Sequence, residues 1–149
     1  MTDNIISTDN PLTALQQQTL SAVVDVIIPG SEDGRMPSAQ ELDIAAYLND
    51  KAADLLTALA GALDGFDEGF ATMDFSTRLE IVRSFSESQT ELFNGLLFHT
   101  YCCYYQDARA LKGIGLAGGP PFPQGNTVIQ GDLSLLDSVS DRAQGYRKV

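Results

Sequence analysis

A chain of 149 residues, 44% of them hydrophobic, has material for one ordinary core and an appendage. Its formal charge of −11 is uneven: residues 1–100 hold sixteen acids against Arg35, Lys51, Arg78 and Arg83, whereas residues 101–149 hold four acids and five bases. Such an acidic body argues against nucleic acid, whose phosphates need a basic face, and against an anionic membrane surface.

The start, MTDNIISTDNPL, lacks a basic n-region, a twin arginine and an apolar h-region, so residues 1–11 read as a flexible N-terminus rather than a leader. No run of about eighteen apolar residues follows, so nothing is expected to insert in a bilayer. The expected location is the cytoplasm, or the periplasm if a signal has been removed or a partner carries the chain out.

Residues 12–28 place Leu15, Leu20, Val23, Val24, Ile27 and Ile28 close to helical spacing, and Pro29-Gly30 stops that helix. After the acidic loop SEDGRMP, Ser38 and Glu41 form a capping box that predicts a second helix. That helix carries Leu42, Ala45, Ala46, Leu48, Ala52, Leu55, Leu56, Leu59 and Leu63, with a break near Asn49-Asp50 and a stop at Gly65. Phe66 and Phe70, in the connector GFDEGFATMD, are expected to pack back on the body. Ser76 is predicted to cap a short helix holding Leu79, Ile81, Val82 and Phe85. Ser88 and Glu91 suggest a second capping box. The helix it opens is apolar nearly all round from Leu92 to Tyr104, the pattern of a central helix.

Nothing alternates with period two over a useful length before residue 126. The fold expected is all-α: a small irregular helical bundle, residues 12–106, with a long Pro/Gly-rich C-terminal arm, residues 107–149. Within the arm, residues 126–131 have the composition of a brief edge strand and residues 133–144 that of a last short helix. Pro120, Pro121 and Pro123 lack amide donors, and Gly118, Gly119 and Gly125 favour turns. Yet the arm also carries Leu111, Ile114, Leu116 and Phe122, apolar residues that a free tail does not need. An irregular apolar arm calls for a surface to lie on.

As an enzyme the chain is poor. Its one histidine, His99, sits in an apolar helix and reads as a satisfied core residue. Cys102 and Cys103 have neither disulfide-framework nor CxxC spacing, and no His/Cys/Asp set has metal-ligand spacing. The glycines at 113, 115, 118 and 119 are followed by prolines where a nucleotide-binding helix would have to begin. Asp25, Glu41, Asp43, Asp50 and Asp54 read as a solvated face, and SEDGRM lacks the alternating ligands of a calcium loop. Asp107 and Arg109 follow the aromatic helix end. Two roles suit them: holding the amides and carbonyls of that turn, or touching a partner chain.

Two segments together resemble the gluconate 2-dehydrogenase subunit 3 family. The first runs TLSAVVDVIIPGSEDGRMPSAQELDIAAYLND: a helix ending in an acid-apolar-apolar-Ile-Pro turn, then a Pro-Ser-Ala helix start. The second is an aromatic helix end leading to a small-Asp-x-Arg turn and a Pro-Pro-Phe-Pro-x-Gly run. It stands here as His99, Tyr101, Tyr104, Tyr105, Asp107, Arg109, Gly115, Leu116, Pro120, Pro121, Phe122, Pro123 and Gly125. The resemblance spans about Thr19 to Gly125.

The resemblance implies a non-catalytic small subunit of a sugar or alcohol dehydrogenase. The partner it implies is a large flavoprotein of the glucose-methanol-choline (GMC) oxidoreductase type. That partner carries the FAD, and some complexes add a cytochrome c subunit. Members of the family usually carry a twin-arginine signal and help fold and export the flavoprotein; this chain departs from them in showing no such signal. On this reading the chain holds no catalytic, cofactor or metal residue of its own. Its partner-binding residues are Tyr104, Tyr105, Asp107, Arg109, Leu116, Pro120, Pro121, Phe122 and Pro123. Phe122, between two prolines, is held near an extended conformation that suits an anchor. The alternative is a transient chaperone that leaves once the flavoprotein has folded.

Overall fold

The computed structural model describes residues 11–116, 125 and 131–140. It is all-α, with no strand among the described residues. The chain divides into one compact unit ending at Gly118 and a second beginning at Gly119.

Helix α1 (Ala14–Ile27) starts at a capping box in which the Thr13 hydroxyl accepts from the Gln16 amide and the Gln16 side chain accepts from the Thr13 amide. It buries Leu20, Val23 and Val24 together with the polar Gln16, Thr19 and Asp25, while Leu15 faces out. The Gln16 amide group donates to the Ala60 carbonyl and the Asp64 carboxylate, tying the start of α1 to the chain near residue 60. The Ser38–Glu41 capping box forms, but it opens only a single 3₁₀ turn, Ala39–Glu41. Asp43 then caps α2 (Ile44–Lys51) through the Ala46 amide. The break expected at Asn49-Asp50 falls at Ala52 (φ −153°, ψ 55°), and α3 (Ala53–Leu63) follows. Neither glycine nor proline marks that break in the sequence.

Helix α4 (Phe75–Ser88) is capped by Asp74, not Ser76: the Asp74 carboxylate accepts from both the amide and the hydroxyl of Thr77. Ser88 caps nothing. It ends α4 and donates back to the Phe85 carbonyl, and the chain turns at Gln89 into α5 (Thr90–Tyr104), which has no side-chain cap. Phe66 and Phe70 do pack back. With Phe85 and Phe93 they form a run of edge-to-face rings with centroids 4.9, 5.4 and 5.9 Å apart. Phe70, together with Val23, Val24, Leu48, Leu56, Leu59 and Leu96, is fully buried in the same core. Each such side chain contributes roughly 1.5–3 kcal/mol of transfer free energy.

The chain after Asp107, expected to be extended, first makes a short helix, α6 (Ala108–Gly113), which buries Ala110 against the body. In the second unit, Asp132 caps a 3₁₀ turn, Leu133–Leu136, that runs into α7 (Asp137–Ser140). Of the flexible start expected at residues 1–11 and the strand expected at 126–131, all but Pro11 and Gly131 lie outside the described residues.

Candidate functional site

The two segments that carry the resemblance meet in space. Asp25 is nearly buried in the otherwise apolar face of α1. It accepts from the Ser38 hydroxyl at 2.5 Å and from Arg78 at 3.0 Å, joining α1, the 3₁₀ turn and α4. Arg78 also donates to the Ala22 carbonyl and lies 5.8 Å over the Phe75 ring. At Pro37, which precedes Ser38, the carbonyl accepts from the hydroxyl of Tyr104, at the end of α5, at 2.7 Å, across 67 residues of sequence.

Asp107 caps α6 by accepting the Arg109 amide, and its carboxylate is also gripped by the Arg109 guanidinium at 3.1 Å. The free corner of that guanidinium reaches Glu41 at 2.9 Å. Glu41 is itself the returning half of the Ser38 capping box. Arg109 therefore clamps the start of α6 to the first resembling segment, instead of holding helix carbonyls. The Arg109 bonds hold the Asp107 carboxyl below its ordinary value. Burial pushes the Tyr104 phenol up, which keeps its proton available for Pro37.

Gly113 seals the same junction. A Cβ there would overlap the Met36 sulfur and lie 2.8 Å from the Arg35 carbonyl, so only glycine allows α6 this close to the loop. Beside it lies a cleft of about 400 Å³ lined by Gly34, Arg35, Pro37, Arg109, Lys112 and Gly113. Its cations are largely balanced, with Arg35 held by Asp33 at 2.5 Å and Arg109 by Asp107 and Glu41.

Of the expected partner-binding residues, Tyr104 is a correction: it is 1% exposed and belongs to the core. Tyr105 and Leu116 are exposed, and Asp107 and Arg109 form the clamp. Pro120, Pro121, Phe122 and Pro123 lie outside the described residues. His99 differs from a satisfied core histidine. It is half-buried between the rings of Tyr47 and Phe98, and its buried Nδ1 has no hydrogen-bond partner among the described residues. Burial, with Asp107 and Asp43 adding to it, pushes the Cys103 thiol up, away from a reactive thiolate.

Asp25, expected on a solvated face, is a correction, being buried and paired with Arg78; sequence reasoning missed that pairing and that of Gly113 with Met36. The first had a signal, a lone acid within the run VVDVII; the second had none, because a close backbone approach leaves no periodic trace. Among the described residues no group of three or more His, Cys, Asp or Glu is placed to hold a metal ion, and no helix is long and apolar enough to cross a membrane. The chain matches no known protein family, no curated protein and no solved structure.

Proposed function

We propose that this chain is the non-catalytic small subunit of an FAD-dependent oxidoreductase. It binds and stabilises a large flavoprotein of the GMC type that oxidises a sugar or another alcohol. The observation that supports this reading is the junction itself. The two segments that resemble one family bond to each other through residues 67 and 68 positions apart, Tyr104–Pro37 and Arg109–Glu41. Two motifs that build one structural unit make a more specific match than two motifs scattered over a fold. The junction also fixes where the chain leaves the body, at Ile114 and Leu116, both exposed and apolar. On this reading the Pro-rich run that follows lies along the flavoprotein. The hydride chemistry belongs to the partner's FAD, and some complexes of the family that the chain resembles add a cytochrome c subunit.

The test is purification of the tagged full-length chain from cells that also express the flavoprotein. The expected result is a yellow, equimolar complex that survives gel filtration and oxidises an alcohol, while the isolated chain shows no flavin absorbance. A flavoprotein that needs the chain to fold but elutes without it would favour the transient chaperone. Stoichiometric flavin on the isolated chain, or no flavoprotein in the eluate, would overturn the proposal.

A further inference from the structure

Helix α5 carries its apolar residues on two opposite faces. Leu96, Thr100 and Tyr104 face the core. On the opposite side, at spacings of three and four, stand Phe98, Tyr101 and Tyr105, exposed by 62, 43 and 45%. The Tyr101 and Tyr105 rings stack with centroids 6.3 Å apart, and Phe98 is set edge-on to His99. From Leu92 to Gln106 the chain has no Asp, Glu, Lys or Arg, although the whole carries twenty acids and nine bases. A solvent-facing helix surface is normally where charge is placed. A contiguous aromatic surface without charge is the composition of an interface centre.

The surroundings say what covers it. Glu91 lies on the same side of α5, two turns before Phe98. Along the α2 side runs a shallow cleft of about 350 Å³ lined by Glu41, Asp43, Tyr47, Cys103, Gln106 and Asp107. It joins the face through Gln106 and through Tyr47, whose ring packs on His99. Among the described residues, one cation, Arg109, pairs with carboxylates of this cleft, Glu41 and Asp107. The α2 side of the aromatic face is thus acidic, whereas the α4 side carries Arg83, in a shallow cleft it shares with Phe93 and Leu97. A second copy set with its α2 side on this one would bring like charges together, which oppose association.

We propose that the outer face of α5, centred on Phe98, Tyr101 and Tyr105, is a docking surface for the flavoprotein subunit, which meets it with an apolar depression rimmed by Lys or Arg. This rests on the reading of the chain as a small subunit and adds a contact on the helical body, separate from the Pro-rich run. Rigid aromatic rings on a helix lose little side-chain entropy on docking, which suits them as anchors.

The test uses the full chain, free and in complex with the co-expressed flavoprotein, under hydroxyl-radical footprinting. Phe98, Tyr101 and Tyr105 are expected to become protected in the complex, while Phe75 and Leu79, exposed on α4, label at the rate of the free chain. The double variant Phe98→Ser, Tyr101→Ser should keep its helical circular dichroism and bind about thirtyfold more weakly, the scale of aromatic hot spots. Phe75→Ser should bind as wild type. Association should slow as salt is raised, because the rims attract. A flavoprotein complex in which the three rings label as freely as before would overturn this proposal and leave the small-subunit reading standing. No complex at all would remove both. A homodimer of the isolated chain that protects the same rings would assign the face to a second copy and overturn it, and salt-independent association would overturn the basic rim.

Discussion

At the scale of single residues, the fold depends on a few polar groups placed where apolar ones would be expected. Asp25 is the clearest. Its side chain is 12% exposed and shares a bond with Arg78, 14% exposed. Removing one partner of such a pair leaves the other uncompensated, at a cost of about 3–5 kcal/mol. Asp25→Ala should therefore lower the urea-unfolding free energy by that amount, and a loss below about 1 kcal/mol would show the pair to be a surface contact. Tyr104→Phe removes only a hydroxyl, but it orphans the Pro37 carbonyl. The expected loss is about 1–3 kcal/mol, with the helices retained. His99 runs the other way. Among the described residues its buried Nδ1 has no hydrogen-bond partner, so His99→Phe should keep stability within about 1 kcal/mol and still purify as a folded chain. The pH dependence has two edges. The Asp107 carboxyl is depressed in the fold, so its contribution is complete above the ordinary carboxylate range and is lost as pH falls through its lowered value. The Tyr104 phenol is raised above its ordinary 10.0, so its bond is intact below that and is lost as pH rises through the raised value. Thermal midpoints measured against pH should be flat between these edges, and Asp107→Asn should blunt the acid one.

At the scale of elements, the sequence was a good guide to which segments are helical and a poor one to where they start. The spacing over 12–28 reads α1 to within two residues at each end, because a long apolar stripe has only one way to be buried. The caps failed at Ser76 and Ser88. Asp74, two residues earlier, reaches both groups of Thr77 and wins the start of α4. Ser88 bonds backward to Phe85, as serine does at a helix end. The reading of α5 as a wholly buried central helix failed for a different reason. Composition counts apolar residues on all faces, whereas the body has material to cover only one of them, leaving Phe98, Tyr101 and Tyr105 outside. The docking of α6 is decided by Gly113. Gly113→Ala should cost about 1–3 kcal/mol, typical of overpacking, because the Cβ meets the backbone of Arg35 as well as the flexible Met36 side chain. Met36→Ala in the same chain should recover only part of that loss. Phe85, in the middle of the ring ladder, should be the costliest single aromatic: Phe85→Ala is expected to lose about 3–5 kcal/mol.

At the scale of the whole molecule, the charge of −11 opposes compaction, so moderate salt should raise the thermal midpoint without changing the helical signal. The buried apolar residues run from Leu12 to Ala110. A chain ended at Gly118 should therefore keep the circular dichroism of α1–α6, and a collapse of that signal would show the C-terminal unit to be part of the core. The sequence by itself determined that the fold is all-α, that its helices are amphipathic around one core, and that Phe66 and Phe70 return to it. These follow from periodicity and hydrophobicity, which act over a few residues and are written in order along the chain. Only the tertiary structure decided that Pro37 accepts from Tyr104, that Arg109 bridges Asp107 to Glu41, that Gly113 admits Met36, and that one face of α5 stays uncovered. Each of those depends on two segments more than 60 residues apart arriving at a distance of a few ångströms, or on a second face finding nothing to cover it. No local pattern encodes either outcome, because both are set by how the helices share a core too small to cover every apolar face.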